Sequence, residues 1–182
     1  IMTTTPNAGV GRTRREFLAQ SGLLAGATVA GTLDISRSAH AAGSDTLRIG
    51  LIGCGGRGSG AAANALVANP NARLTAMADA FADRMDGARQ ALKQQHGDQV
   101  AVEGSRCFAG FDAYRQLLDS GVDVALLAET PHFRPQHLEA CVDAGVHVFA
   151  EKPMAVDAPG VRRVLAAGEK ARQKKLSFVS GF

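Results

Sequence analysis

A chain of 182 residues, 46% hydrophobic and 20% charged, has an ordinary globular composition without the bias of disordered or collagen-like sequences. One Tyr and no Trp leave little for stacking on nucleic-acid bases. The net charge of +3 comes mostly from residues 1–41; beyond them 16 Lys and Arg face 15 Asp and Glu, so no nucleic-acid partner is expected.

The first element in chain order is a leader. Residues 13–19 read TRREFLA, with Arg14-Arg15 ahead of Phe17-Leu18. A mildly apolar run broken by Gly22, Gly26 and Gly31 follows, then Ala39-His40-Ala41. A charged segment, an apolar segment and a small-x-small cleavage site describe an export signal. The alternative is an amphipathic N-terminal helix or a membrane anchor. The run is glycine-rich and shorter than the roughly 20 apolar residues a span needs, so no stable membrane span is expected. Thr13, both arginines, Phe17 and Leu18 resemble the twin-arginine (Tat) signal in register. That resemblance implies the Tat machinery as a partner, export after folding, and a periplasmic or otherwise exported location. Cleavage after Ala41 would leave residues 42–182 as the mature domain. Ile1 ahead of Met2 reads as an arbitrary left edge of a fragment.

The rest of the chain alternates between short apolar runs and helical patterns. Strands are predicted at 47–52, 74–78, 122–128, 147–150 and 177–182, with a weak one at 100–102 or 106–108. Helices are predicted at 57–68, 80–96, 112–118 with Asp112 as N-cap, 135–144 ending at Gly145, and 157–175 with Asp157 at its start. Strands alternating with helices imply parallel pairing and right-handed crossovers. Near-continuous apolar strands imply a sheet covered on both faces. The predicted fold class is therefore α/β, a doubly wound parallel sheet of the Rossmann type. A chain ending in the sixth strand is expected to lack a second domain, and on its own not to turn over a substrate. Cys54, Cys107 and Cys141 are an odd count with no metal-knuckle spacing, so neither disulfides nor a metal site is expected. His132 and His137, in a Pro-rich segment, are predicted to lie on the surface.

Residues 51–60 read LIGCGGRGSG. Gly53, Gly55 and Gly58, with Gly56 and Arg57 between them, end the first strand and open the first helix. Gly53 permits a tight turn, Gly55 lets backbone approach a pyrophosphate, and Gly58 lets the helix pack close. The helix N-terminus offers N–H groups to phosphate. A purely structural glycine turn is the alternative. Asp79 closes the second strand 21 residues after Gly58, where a carboxylate accepts hydrogen bonds from the adenosine ribose. It could instead cap the following helix. A carboxylate there disfavours a 2′-phosphate, so NAD is expected; Arg84, one turn on, keeps NADP open.

Thr130-Pro131-His132 follows the fourth strand and Glu151-Lys152-Pro153 the fifth. Ligands of open parallel sheets bind beyond the carboxyl ends of the strands, near the point where strand order reverses. There Lys152 could hydrogen-bond a substrate hydroxyl and help its proton leave. The alternative is an exposed Glu151–Lys152 ion pair.

The segments GCGGRG, VDVALLAETP and AGVHVFAEKPMAVD resemble the Gfo/Idh/MocA family, named for glucose–fructose oxidoreductase and inositol dehydrogenase, over roughly residues 47–182. The resemblance implies a Rossmann domain followed by a larger α/β domain, and NAD(P)-dependent oxidation or reduction of a sugar, cyclitol or related polyol. It implies that Thr130 and Pro131 line the cofactor site, that Glu151 holds the nicotinamide ribose and that Lys152 contacts the reacting hydroxyl. The family often has Asn where this chain has His132. The family's catalytic His and neighbouring Asp belong to the second domain. A homo-oligomer is compatible with the longer protein. Two alternatives stand beside an exported oxidoreductase: an NAD-dependent glycoside hydrolase of the same superfamily, and a non-catalytic dinucleotide-binding domain. The Lys of E-K-P resembles the dehydrogenases more than the glycosidases.

Overall fold

Six short runs rich in Ile, Leu, Val and Ala form one sheet. In the computed structural model, which describes residues 45–181, they are β1 (Leu47–Ile52), β2 (Ala72–Asp79), β3 (Cys107–Ala109), β4 (Val124–Leu127), β5 (His147–Ala150) and β6 (Phe178–Ser180). Every pairing is parallel and the spatial order is β3-β2-β1-β4-β5-β6. Strand order reverses between β1 and β4, where the doubly wound fold opens a crevice at the carboxyl ends. The predicted leader lies outside the described residues.

Five α-helices connect the strands among the described residues: α1 (Gly56–Ala68), α2 (Ala82–His96), α3 (Ala113–Asp119), α4 (Arg134–Asp143) and α5 (Ala158–Gln173). The alternation of β1 sends Ile49 and Leu51 to one face, where Leu66 of α1 and Met85 and Leu92 of α2 bury them. It sends Ile52 to the other, among Leu117 of α3, Leu138 and Val142 of α4 and Val164 of α5. Two-sided burial explains why these strands read as unbroken apolar runs rather than alternating ones.

Most boundaries shift by one or two residues from expectation, and three of the differences matter to the site or its frame. The third strand is Cys107–Ala109; the 100–102 run contributes one isolated parallel bridge, Val100 to Leu74. Asp112 occupies the N-cap position of α3 but accepts no capping hydrogen bond. It sits instead 3.4 Å from Arg115. The second helix starts at Ala82 with Phe81 at its N-cap, so Asp79 is not its cap. Asp157 does cap α5, its Oδ1 accepting the N–H of Gly160 at 2.7 Å.

Candidate dinucleotide and substrate site

The turn after β1 is built by steric exclusion. Gly53 has φ +90, and a Cβ on it would stand 2.4 Å from the backbone nitrogen of Glu129. A Cβ on Gly58 would stand 1.9 Å from the carbonyl oxygen of Gly53. Those two glycines are required by the fold itself. Gly55 and Gly56 are different: no protein atom approaches a Cβ on Gly56 within 4 Å, and only Arg84 Nη1, at 3.7 Å, approaches one on Gly55. Their missing side chains leave room on the open side of the turn. The N-terminus of α1 meets that room with no side-chain cap, so its first N–H groups are available to phosphate.

Asp79 is drawn into the same turn. Its Oδ2 accepts the N–H of Cys54 at 2.6 Å, and its Oδ1 that of Phe81 at 3.0 Å. A carboxylate has about four lone-pair positions, so acceptor capacity remains for ribose hydroxyls. The guanidinium of Arg84 lies 5.6 Å from the centroid of the Phe81 ring, beside the glycine turn. A cavity of about 490 Å³ joins these groups to Tyr114, Thr130 and His137 at the carboxyl ends of the sheet. That volume lies in the range of small-molecule and cofactor sites. The residues present therefore fit a dinucleotide. Gly55, Gly56 and the start of α1 would hold the pyrophosphate, and Asp79 the adenosine ribose.

The ends of β4 and β5 complete the rim. Glu151 is buried, and its Oε1 accepts from Nη2 of Arg57 on the first turn of α1. Glu151 thus pairs with Arg57 rather than with Lys152, and Lys152 is exposed beside it. The pairing holds the Arg57 guanidinium above its ordinary value. It also shows that the glycine turn and the Glu151-Lys152-Pro153 turn face each other across the crevice. Thr130, Pro131 and His132 sit between them, with Thr130 on the cavity wall.

His137 departs from the surface position expected of it: only 7% is exposed. It lies on the inner face of α4, its ring 4.2 Å from that of Tyr114, with Nδ1 3.5 Å from Oε1 of Glu129. His132 is exposed, as expected. Arg134, 2% exposed, is the other unforeseen group; its Nε is 3.8 Å from the same Glu129 oxygen. Burial lowers the affinity of its guanidinium for the proton, opposed by Glu129 and Glu151. One signal for both residues existed: Arg134, His137, Leu138 and Cys141 recur at helical spacing, which places the first two on the apolar face. Among the described residues no group of three or more His, Cys, Asp and Glu is placed to hold a metal, and no helix is long and apolar enough to cross a membrane.

The family model for Gfo/Idh/MocA proteins, described as an oxidoreductase family with an NAD-binding Rossmann fold, matches residues 47–179. Inositol 2-dehydrogenase 1 of Saccharopolyspora erythraea is 30% identical over 131 residues, covering 72% of this chain and 35% of that protein. A glycosyl hydrolase family 109 protein of Streptomyces coelicolor is 28% identical over 132 residues, covering 72% and 27%. Among solved structures, a mutant 3-ketoreductase from Actinomadura kijaniata in complex with TDP-benzene and NADP superposes with a TM-score of 0.54 at 28% identity. That match covers 75% of this chain and 38% of that one. The chain thus spans about a third of the length of such relatives.

Proposed function

The chain belongs to the Gfo/Idh/MocA oxidoreductase family, and from that membership we propose that it is the cofactor domain of an NAD(P)-dependent enzyme acting on a sugar, cyclitol or related polyol. One observation carries the proposal. The glycine turn, Asp79 and Thr130 come from three separate strand ends and line one cavity, and Arg57 on the first turn of α1 contacts Glu151 at the end of β5, next to Lys152.

The bound nicotinamide would accept or return a hydride. The chain's own residues prepare for it. Asp79 and the start of α1 anchor one end of the cofactor. Glu151, buried and adjacent to Lys152, fixes the rim at the other end. Lys152 stands exposed on that rim, where it can hydrogen-bond a substrate hydroxyl and help its proton leave as the C–H bond at the same carbon breaks. NAD is the cofactor the Asp79 carboxylate favours; Arg84, beside the ribose position, leaves NADP use open.

Residues 1–41 are proposed to be a twin-arginine export signal and residues 42–182 the mature cofactor domain, with a substrate domain elsewhere in the protein. The support is the register of Arg14-Arg15 with Phe17-Leu18 and the Ala39-His40-Ala41 site. The location would then be periplasmic or otherwise exported. An enzyme exported after folding would carry its cofactor with it.

The glycosyl hydrolase relative supports a second function, hydrolysis of a glycoside with no net change in cofactor. One experiment separates the two. The intact protein and its Lys152→Met variant are given NAD with a panel of polyols, and separately with aryl glycosides. Reduced cofactor and released aryl alcohol are both followed. Oxidoreductase activity predicts polyol-dependent reduction, lowered roughly 10²- to 10⁴-fold by the substitution, with NAD binding nearly intact. Polyol-dependent reduction at full rate in the variant would remove Lys152 from the chemistry. Aryl alcohol release without net reduction would establish the hydrolase.

A further inference from the structure

Lys152 is an exposed side chain on a turn, yet general acid–base chemistry needs it in one place. Its two chain neighbours supply the constraint. On one side Glu151 is held by Arg57. On the other, Nη1 of Arg134 donates to the carbonyl oxygen of Pro153. Nη2 of the same guanidinium donates to the carbonyl oxygen of Glu129, the residue before Thr130. Arg134 therefore joins the turn after β4 to the turn after β5, two segments 24 residues apart that both border the crevice.

The geometry points to Arg134 as a positioning residue for Lys152: a buried guanidinium that clamps the Glu151-Lys152-Pro153 turn to the Glu129-Thr130 turn. Arg134 is buried and does not line the cavity; it acts through Lys152, so its effect on rate depends on the role proposed for that lysine. Three features favour a dedicated clamp over incidental packing. A buried arginine is costly unless its charge and donors are satisfied. Here the charge faces the Glu129 carboxylate at 3.8 Å and the two terminal nitrogens go to main-chain carbonyls of two different turns, while Nε has no hydrogen-bond partner. Planar, forked donors suit that double attachment; a lysine is shorter and lacks the fixed fork. Arg134 is also the first residue of α4, with Pro135 behind it, so its backbone is set by the helix and not by either turn.

The test uses the intact protein with Arg134→Met, Arg134→Lys, Lys152→Met and the double variants. Amide hydrogen exchange across 151–157 and 129–133 is measured first, because it reports the clamp without any turnover. Exchange in both segments is expected to rise about tenfold or more in Arg134→Met, and to a lesser degree in Arg134→Lys, with the strands of the sheet unchanged. Turnover is then expected to fall about 10- to 100-fold, with KM and the NAD dissociation constant little changed, as for a misplaced catalytic group. In the Lys152→Met background the same Arg134 substitutions are expected to have almost no further effect on rate. Should Arg134→Met not fold, Arg134→Lys, which keeps the charge beside Glu129, carries both measurements. Unchanged exchange in the two segments, or an equal loss of rate with and without Lys152, would overturn the proposal. If Lys152→Met alone leaves the rate intact, the catalytic role of Lys152 falls and the positioning role with it. The exchange data still show whether the two turns are clamped.

Discussion

Asp79 and Cys54 are joined by a 2.6 Å hydrogen bond, the carboxylate of one accepting the backbone N–H of the other. The acid at the end of β2 is thereby tied to the glycine turn at the end of β1. Its second oxygen accepts from Phe81, so the carboxylate has a fixed orientation before any ligand arrives. If its remaining lone pairs serve the adenosine ribose, Asp79→Ser should weaken NAD more than NADP. Hydrogen bonds to a charged acceptor are worth about 1.5–3 kcal/mol each. Fluorescence titration of both reduced cofactors against wild type and variant reads the ratio. An unchanged ratio with a lowered melting temperature would leave Asp79 a purely structural role.

Gly58 and Gly56 should respond oppositely to the same substitution. Gly58→Ala forces a methyl group against the Gly53 carbonyl and should cost about 1–3 kcal/mol of stability or more. Gly56→Ala meets no protein atom within 4 Å, so stability should be unchanged or slightly raised. NAD affinity should fall in Gly56→Ala, because the methyl group occupies the space assigned to the pyrophosphate. Thermal unfolding and cofactor titration of the two variants check both halves.

The cysteines should differ in reactivity. Burial pushes the thiols of Cys54 and Cys141 far up, with nearby Asp79 adding to the effect at Cys54 and Glu129 at Cys141. Cys107 is only partly buried, and burial raises it less. Since the thiolate is the reactive form, a thiol reagent at pH 8 should label Cys107 first. Cys54 and Cys141 should react only on unfolding, as mass mapping of the labelled sites would reveal. Early labelling of Cys54 would mean that the glycine turn opens readily.

Acid should weaken one named tie between β1 and the start of β4. Asp123 accepts from Nε of Arg48 at 3.0 Å, from its Nη2 at 2.7 Å and from its backbone N–H at 2.8 Å. These bonds hold the Asp123 carboxyl below its ordinary value. A carboxyl whose proton affinity is lower folded than unfolded stabilises the fold above the unfolded value, about pH 4. That stabilisation is lost as pH falls through the folded value. Both side chains are partly exposed, so the contribution is at most about 1 kcal/mol. Asp123→Asn should lower the melting temperature slightly at pH 7, and the difference should narrow as pH falls from about 4 toward 3. A constant difference down to pH 3 would show that the pair's charge is irrelevant.

The alternation of strands and helices was legible in the sequence because it depends on local terms. Apolar runs of strand length, the positive φ of Gly53, the close approach of Gly58 to Gly53 and the Asp157 cap act within a few residues of themselves. The third strand was the weakest prediction for the same reason. Cys107–Ala109 is three residues long, and only the extent of its pairing with β2, a ladder of three residues against the single bridge of Val100, distinguishes it from the neighbouring 100–102 run.

The sequence by itself determined the order of elements and marked Gly53, Gly55, Gly58, Asp79, Glu151 and Lys152 as candidates, since turn geometry and strand ends carry their own signals. Tertiary structure alone decided the partners. Glu151 pairs with Arg57, 94 residues away, and not with Lys152 beside it. Asp79 turns one oxygen back to Cys54 and accepts the N–H of Phe81 with the other, without itself being the cap of α2. His137 goes inside because the face of α4 that carries it packs on Tyr114, and Arg134 goes inside because two main-chain carbonyls and Glu129 meet it there. A buried charge is stable only where distant chain segments deliver acceptors to it, and that delivery is set by the packed sheet and helices rather than by any neighbouring residue.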